Sequence, residues 1–196
     1  MFAGITSEDA RPLLRGRRIY LRPPIAADWR PWAELRQASR AFLEPWEPIW
    51  PHDVLTRASF RRRLKFYQRE AHADQTYAFL LYRGFDDRML GGITLSNVRR
   101  GVTQSGTIGY WVGEEFTGNG YMTAAVSLLL SWAFNDLNLH RVEAACIPGN
   151  GPSRTLLQNC GFTEEGYARN YLRIAGEWQD HVLHAILSTD PRPSLH

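Results

Sequence analysis

The chain is poor in several things whose absence narrows its chemistry. Of its 23 Lys and Arg residues only Lys65 is a lysine. A P-loop for nucleoside triphosphates needs a lysine beside its glycines, and none stands there, so that function is excluded. Only two cysteines are present, Cys146 and Cys160, too few for a disulfide framework. The longest apolar stretch, 124–134, is too short to span a bilayer and has the period of an amphipathic helix. Residues 1–20 are polar and arginine-bearing, without the apolar centre of a secretory signal. A cytoplasmic location without membrane contact is therefore expected. No repeat, low-complexity tract or linker interrupts the chain, so residues 1–196 are expected to form a single domain with its core over about 17–187. His181 and His184 look like a metal pair, but three apart on a strand they face opposite sides, and no cluster of ligands completes a site. No metal is expected.

What is present concentrates at Thr117-Gly118-Asn119-Gly120-Tyr121-Met122-Thr123. A strand-like run, Ile108 to Val112, ends before it, and a long amphipathic helix begins on it. Two glycines one residue apart let the backbone turn tightly and leave its amides unobstructed. Amides at a helix N-terminus have no partner within the helix, and the dipole there favours an anion. The turn suits a phosphate or pyrophosphate. A dinucleotide fingerprint would place a third small residue at Thr123 and an acid about twenty positions later. Thr123 and the early Asp136 do not suit that pattern.

The order of elements sets the frame. Residues 17–22 read as a strand, and a Trp-rich helix capped by Asp28 runs to about Ser39. A proline-rich loop follows, then a helix from the N-cap Thr56 to about Ala71. Residues 75–82, 89–98 and 103–113 alternate like an antiparallel meander. After the glycine turn and its helix come a strand over 140–147 and a short helix opened by Asn150-Gly151-Pro152-Ser153. Strands over 162–174 and 177–187 follow, joined by a turn at Ala175-Gly176. Residues 191–196 read as a frayed tail.

This succession resembles the GNAT superfamily of acetyl-CoA-dependent N-acetyltransferases, whose pyrophosphate loop reads Arg/Gln-Gly-x-Gly-x-Gly/Ala. That family continues, as here, with a strand, an Asn, a short helix and a terminal Gly-Phe, matched by Gly161-Phe162. Leu43-Glu44-Pro45-Trp46-Glu47-Pro48, Ser96-Asn97-Val98 and Trp178-Gln179-Asp180-His181-Val182-Leu183 are most similar to the Rim-type ribosomal-protein alanine N-acetyltransferases. The resemblance implies an α/β (α+β) GNAT fold: a mixed, mostly antiparallel seven-stranded sheet with helices on both faces. It implies acetyl-CoA as co-substrate, with its phosphates on Thr117, Gly118, Asn119, Gly120, Tyr121, Met122 and Thr123. Thr117 and Met122 depart from the family pattern. The first matters little where backbone amides hold the anion, and the second is harmless if Met122 has helical φ.

Acyl transfer to an amine needs a polarised carbonyl, a neutral amine and a proton for the departing thiolate. By resemblance, a backbone amide near Trp111 and Val112 supplies the first, although Trp111 suits a core equally well. Asn150 is a good N-cap, and in the family an Asn here holds the pantetheine arm. Many members carry a tyrosine further along this helix as general acid, but here the segment reads Leu156-Leu157-Gln158. Ser153 is therefore the candidate donor to the leaving sulfur, against a plain helix-opening serine. The base position used by some members is Ala145, and Glu143, two residues earlier on the same strand face, is the candidate in its place. A strong base is dispensable for an α-amine of pKa about 7.7–8.0, against about 10.4 for lysine. The loop with Phe42, Trp46, Glu47 and Trp50 suits either core cover or a substrate-binding wall, and by resemblance it lies over the acceptor entrance. Glu47 would attract a cationic N-terminus, and Asn97 would bond the peptide backbone.

Arg57, Arg61, Lys65 and Arg69 recur at i+4 on the second helix. They form either a solvated face or a footprint for the ribosome or rRNA. The acceptor expected is the N-terminus of a ribosomal protein beginning with alanine. A small amine (an amino acid, polyamine or antibiotic) and a non-catalytic acyl-CoA-binding or ribosome-associated protein are the alternatives. The oligomeric state stays open.

Overall fold

A computed structural model describes residues 12–193; residues 194–196 of the expected C-terminal tail lie outside this range. One sheet runs through the molecule in the strand order β1-β2-β3-β4-β5-β6-β8-β7. The strands are β1 (Leu14–Arg15), β2 (Ile19–Arg22), β3 (Tyr77–Arg83), β4 (Met89–Arg99), β5 (Ser105–Val112), β6 (Arg141–Cys146), β7 (Thr163–Ile174) and β8 (Glu177–Leu187). The sheet thus has eight strands where seven were expected. The extra one is the two-residue β1, folded onto β2 through Gly16, whose N–H donates to the Ile19 carbonyl. Two residues are too few to show alternation in a sequence.

Every neighbouring pair is antiparallel except β5 with β6. A parallel pair needs a crossover, and α4 (Tyr121–Asn135) supplies it. Its buried face, Ala125, Val126, Leu129, Leu130 and Ala133, lies in the main core. Trp132 extends that contact edge-on against Tyr77 and Phe79, with ring centroids 5.0 and 5.4 Å away. The other face of the sheet carries α1 (Trp29–Ala38), the short α2 (Arg40–Leu43) and α3 (Arg57–His72). There Phe60 packs on Trp32 at 5.0 Å. Thr56 caps α3 as expected, accepting from the Ser59 N–H at 3.2 Å. The last helix is α5 (Gly151–Asn159). Ala175 and Gly176 both take positive φ in the final hairpin turn, as its backbone twist requires.

Asp28 does something other than cap α1. Its carboxylate accepts the Ile25 N–H at 2.7 Å and two bonds from Arg22, at 2.8 and 2.6 Å. Arg22 in turn donates to the Tyr82 hydroxyl at 2.8 Å, so this buried acid fixes the entry to α1 against β2 and β3. No helix among the described residues is long and apolar enough to cross a membrane.

His181 and His184 are both buried in β8. His181 meets the Gln179 carbonyl through Nδ1 at 2.9 Å. Neither ring nitrogen of His184 has a partner among the described residues. Burial, first among the causes, lowers the pKa of His184. As pH falls, the unfolded chain therefore takes up this proton first, at a pKa of about 6.5. Stability from this site is complete above that pH and is lost as pH drops through the folded value. We expect the urea midpoint of the native protein to fall more between pH 7.5 and pH 5.5 than that of His184→Leu. Equal falls would contradict this.

Candidate active site

Strands β5 and β6 begin as neighbours and then part. Their pairing covers Ser105, Gly106 and Thr107 against Arg141, Val142 and Glu143 and goes no further. Yet β5 stays paired with β4 as far as Val112, and β6 with β8 as far as Cys146. The facing edges beyond Thr107 and Glu143 therefore diverge. The Gly113 N–H donates to the Leu90 carbonyl at 2.8 Å. Antiparallel bonding alternates along a strand, so Gly109 and Trp111 aim their backbone groups at β4. Ile108, Tyr110 and Val112 aim theirs into the gap. This leaves a row of backbone donors and acceptors for an extended ligand to pair with.

The glycine turn stands at the end of β5. Gly118 and Gly120 have φ of 72° and 73°, the left-handed region that side chains disfavour. The Asn119 amide donates to the Thr117 carbonyl at 2.9 Å and closes the turn. The first backbone bond of α4 is Ala124 N–H to the Gly120 carbonyl. The amides of Tyr121, Met122 and Thr123 thus have no partner within the helix and form its anion-binding end. Met122 is helical and buried, so no glycine is needed at that position. Arg18 adds charge beside the turn, with Nη1 3.5 Å from the Asn119 carbonyl. Arg83 first, then Arg18, hold the Tyr121 phenol below its usual pKa.

Across the gap, Asn150 caps α5 by accepting the Ser153 N–H at 3.1 Å. Ser153 Oγ lies 2.8 Å from the Tyr110 hydroxyl. Burial pushes Tyr110 above the usual phenol range, against the opposing effect of Ser153. Burial also raises the Cys146 thiol, with Ser153 again opposing. The phenol that meets the first turn of α5 thus comes from β5. An aromatic pair such as Tyr110-Trp111 in a strand sends its rings to opposite faces, which was the one signal available in the sequence.

The opposite face of β4 and β5 carries a cavity of about 440 Å³. Trp111, Trp32, Trp50 and Tyr67 wall it, with Ser96 and Glu47 as polar members. Arg36, almost fully buried, stacks its guanidinium carbon 4.4 Å from the Trp50 ring centre and 4.9 Å from that of Trp111. The same guanidinium pairs with Glu47 through both Nη atoms, one at 3.2 Å. The Trp50 indole N–H donates to Glu47 at 2.7 Å. Glu47 Oε2 is thereby doubly engaged, while Oε1, with its single bond from Arg36, keeps further acceptor capacity. Of the residues that hold Glu47, Trp50 was legible in the aromatic loop and Arg36 was not.

Other predicted residues lie elsewhere. Phe42 and Trp46 are not among the cavity's lining residues, and Trp46 is exposed. Asn97 sits exposed at a bulge of β4 with φ 52°, and Ser96 faces the cavity instead. Glu143 pairs opposite Thr107, before the strands part. Both of its oxygens are held by guanidinium groups, Arg99 at 3.0 Å and Arg141 at 2.9 Å. On α3, Arg62 pairs with Asp53, Arg69 with Glu70, and Arg57 and Arg63 lie over Trp29 and Trp32. Much of that charge is engaged within the chain.

Comparison with known proteins agrees with this geometry. The family model described as acetyltransferase (GNAT) domain matches residues 18–163. The probable N-acetyltransferase YjcK of Bacillus subtilis is 37% identical over 178 residues, covering 91% of this chain and 98% of that protein. The [ribosomal protein uS5]-alanine N-acetyltransferase of Escherichia coli is 32% identical over 165 residues, covering 84% of each. Mycobacterium smegmatis RimJ, solved in complex with CoA-disulfide, superposes with a TM-score of 0.82 at 37% identity, covering 86% of this chain and 81% of that one.

The Arg36–Glu47 pair gives a direct test of how the cavity is held. Arg36→Met leaves a largely buried carboxylate without its counter-ion and should cost about 3 kcal/mol in urea unfolding. The double variant Arg36→Met/Glu47→Met should recover part of that loss. A single variant as stable as the native protein would contradict the pairing.

Proposed function

The chain belongs to the GNAT acetyltransferase family, and from that premise we propose that it acetylates the N-terminal α-amine of a ribosomal protein beginning with alanine. Members of the family use acetyl-CoA as co-substrate. Relatives named for alanine N-acetylation of ribosomal protein uS5 support the acceptor. The observation that carries the reading is the meeting of two features at Tyr110 and Trp111. The open edge of β5 lies on one side, and the aromatic cavity opens onto the same strand.

The mechanism follows from that meeting. The amides of the glycine turn and the first turn of α4 hold the pyrophosphate. The gap-facing backbone of Ile108, Tyr110 and Val112 pairs with the pantetheine arm and places the thioester between the parted strands. An amide of β5 aimed at the carbonyl oxygen stabilises the developing oxyanion, a contribution of about 2.7–4 kcal/mol in comparable sites. The amine enters through the aromatic cavity, where Glu47 Oε1 can accept a hydrogen bond from its N–H. Its nitrogen attacks the carbonyl directly, and the thiolate leaves towards Ser153. With both oxygens of Glu143 held by arginines, deprotonation rests on the low pKa of the α-amine itself.

Thiol release from acetyl-CoA tests the reading, with an Ala-starting basic peptide, its N-blocked form, and small amines as acceptors. The free peptide should turn over and the blocked one should not. Its kcat/KM should rise with pH and level off near the α-amine pKa of about 8. Turnover of small amines alone would replace this acceptor with another.

A further inference from the structure

We propose that Tyr110 is a positioning residue for the leaving-group step, orienting and recharging the Ser153 hydroxyl that protonates the departing sulfur. This rests on the acetyl-transfer reading above. The Tyr110–Ser153 bond, at 2.8 Å, is the one side-chain hydrogen bond between β5 and α5 among the described residues. It therefore crosses the gap where the backbones of β5 and β6 no longer pair.

The direction of that bond follows from acidity. A phenol, even one whose pKa burial has raised, is a stronger acid than an aliphatic hydroxyl and is the better donor of the two. Tyr110 O–H then donates to Ser153 Oγ, and the single serine proton is left free to point elsewhere. Ser153 cannot use its backbone N–H for this purpose, because Asn150 Oδ1 already accepts it at 3.1 Å. Burial keeps Tyr110 protonated through neutral and alkaline pH, so the donor is always loaded. No residue of α5 competes for the role. Leu157, in the segment where other family members place a tyrosine, is buried in the core.

The step balances. The amine nitrogen forms a bond to the acetyl carbon, and the carbon–sulfur bond breaks with its electron pair going to sulfur. Sulfur takes the Ser153 proton while Ser153 Oγ takes the one from Tyr110. The nitrogen releases one proton to solvent, and one returns from solvent to the tyrosine. Without Tyr110, Ser153 Oγ loses the donor that fixes its oxygen, and the refilling path is cut.

The test is steady-state kinetics of Tyr110→Phe, Ser153→Ala and the double variant, with acetyl-CoA and the free Ala-starting peptide. Tyr110→Phe keeps the ring and should lower kcat about tenfold, the worth of one hydrogen bond. Its KM for acetyl-CoA should stay within about twofold of the native value on the same hydrogen-bond argument. Ser153→Ala should lower kcat by about a hundredfold. The double variant should be no slower than Ser153→Ala, because Tyr110 acts through Ser153. A native kcat in Tyr110→Phe would overturn the proposal. So would a raised KM with losses that multiply in the double variant, the mark of a strut that merely holds the gap. Absence of turnover by the native protein with any free amine would instead overturn the acetyl-transfer reading on which this one stands.

Discussion

The parting of β5 from β6 is the constraint on which the site depends. Three residues of parallel pairing hold the two strands together at Ser105–Thr107, and each strand then follows its outer neighbour. Unpaired backbone groups in a sheet interior are costly unless something else satisfies them. Here the edge of β5 is left to an extended ligand. The crossover helix α4 that makes the parallel pair possible also begins at Gly118–Gly120, so one connection supplies both the open edge and the anion-binding amides beside it. An antiparallel hairpin at this point would provide neither.

Strand alternation then divides the labour between the two faces of the sheet. Trp111 projects into the aromatic cavity on the side of α1 and α3. Tyr110 projects across the gap towards Ser153 on α5. In the proposed reaction, amine entry and thiol departure thus fall to neighbouring residues whose side chains lie on opposite faces. The cavity owes its shape to Arg36, whose guanidinium is stacked between indoles and tied to Glu47. Both Glu47 oxygens accept from Arg36, and Oε2 accepts from Trp50 as well, which suits a carboxylate that accepts one further hydrogen bond from an amine better than one that carries its proton away.

Local signals in the sequence were sufficient where the chemistry was local. The left-handed glycines at 118 and 120, the Thr56 and Asn150 caps, the Ala175-Gly176 turn and the long alternating strands β4 and β8 stand where composition and period placed them. What could not be read was long-range. Arg36 lies in α1, eleven residues from Glu47, and looks like any helix-surface arginine until Trp111 folds over it. Tyr110 and Ser153 are 43 residues apart, so a search for a tyrosine confined to α5 could not find the one in β5. Asp28 gave a clear capping signal, yet Arg22 and the Ile25 amide claimed its carboxylate. Glu143 sits on a well-predicted strand, and only the tertiary approach of Arg99 reveals that its oxygens are occupied.

A crystal structure with a bisubstrate analogue, the CoA sulfur joined through an acetyl bridge to the α-nitrogen of an Ala-starting peptide, tests the central claim most directly. Pyrophosphate should lie on the amides of residues 118–123, pantetheine along Ile108–Val112 and the sulfur against Ser153. The peptide should leave through the cavity between Trp50 and Trp111. A peptide leaving on the α5 side, or pantetheine lying outside the parted strands, would contradict it.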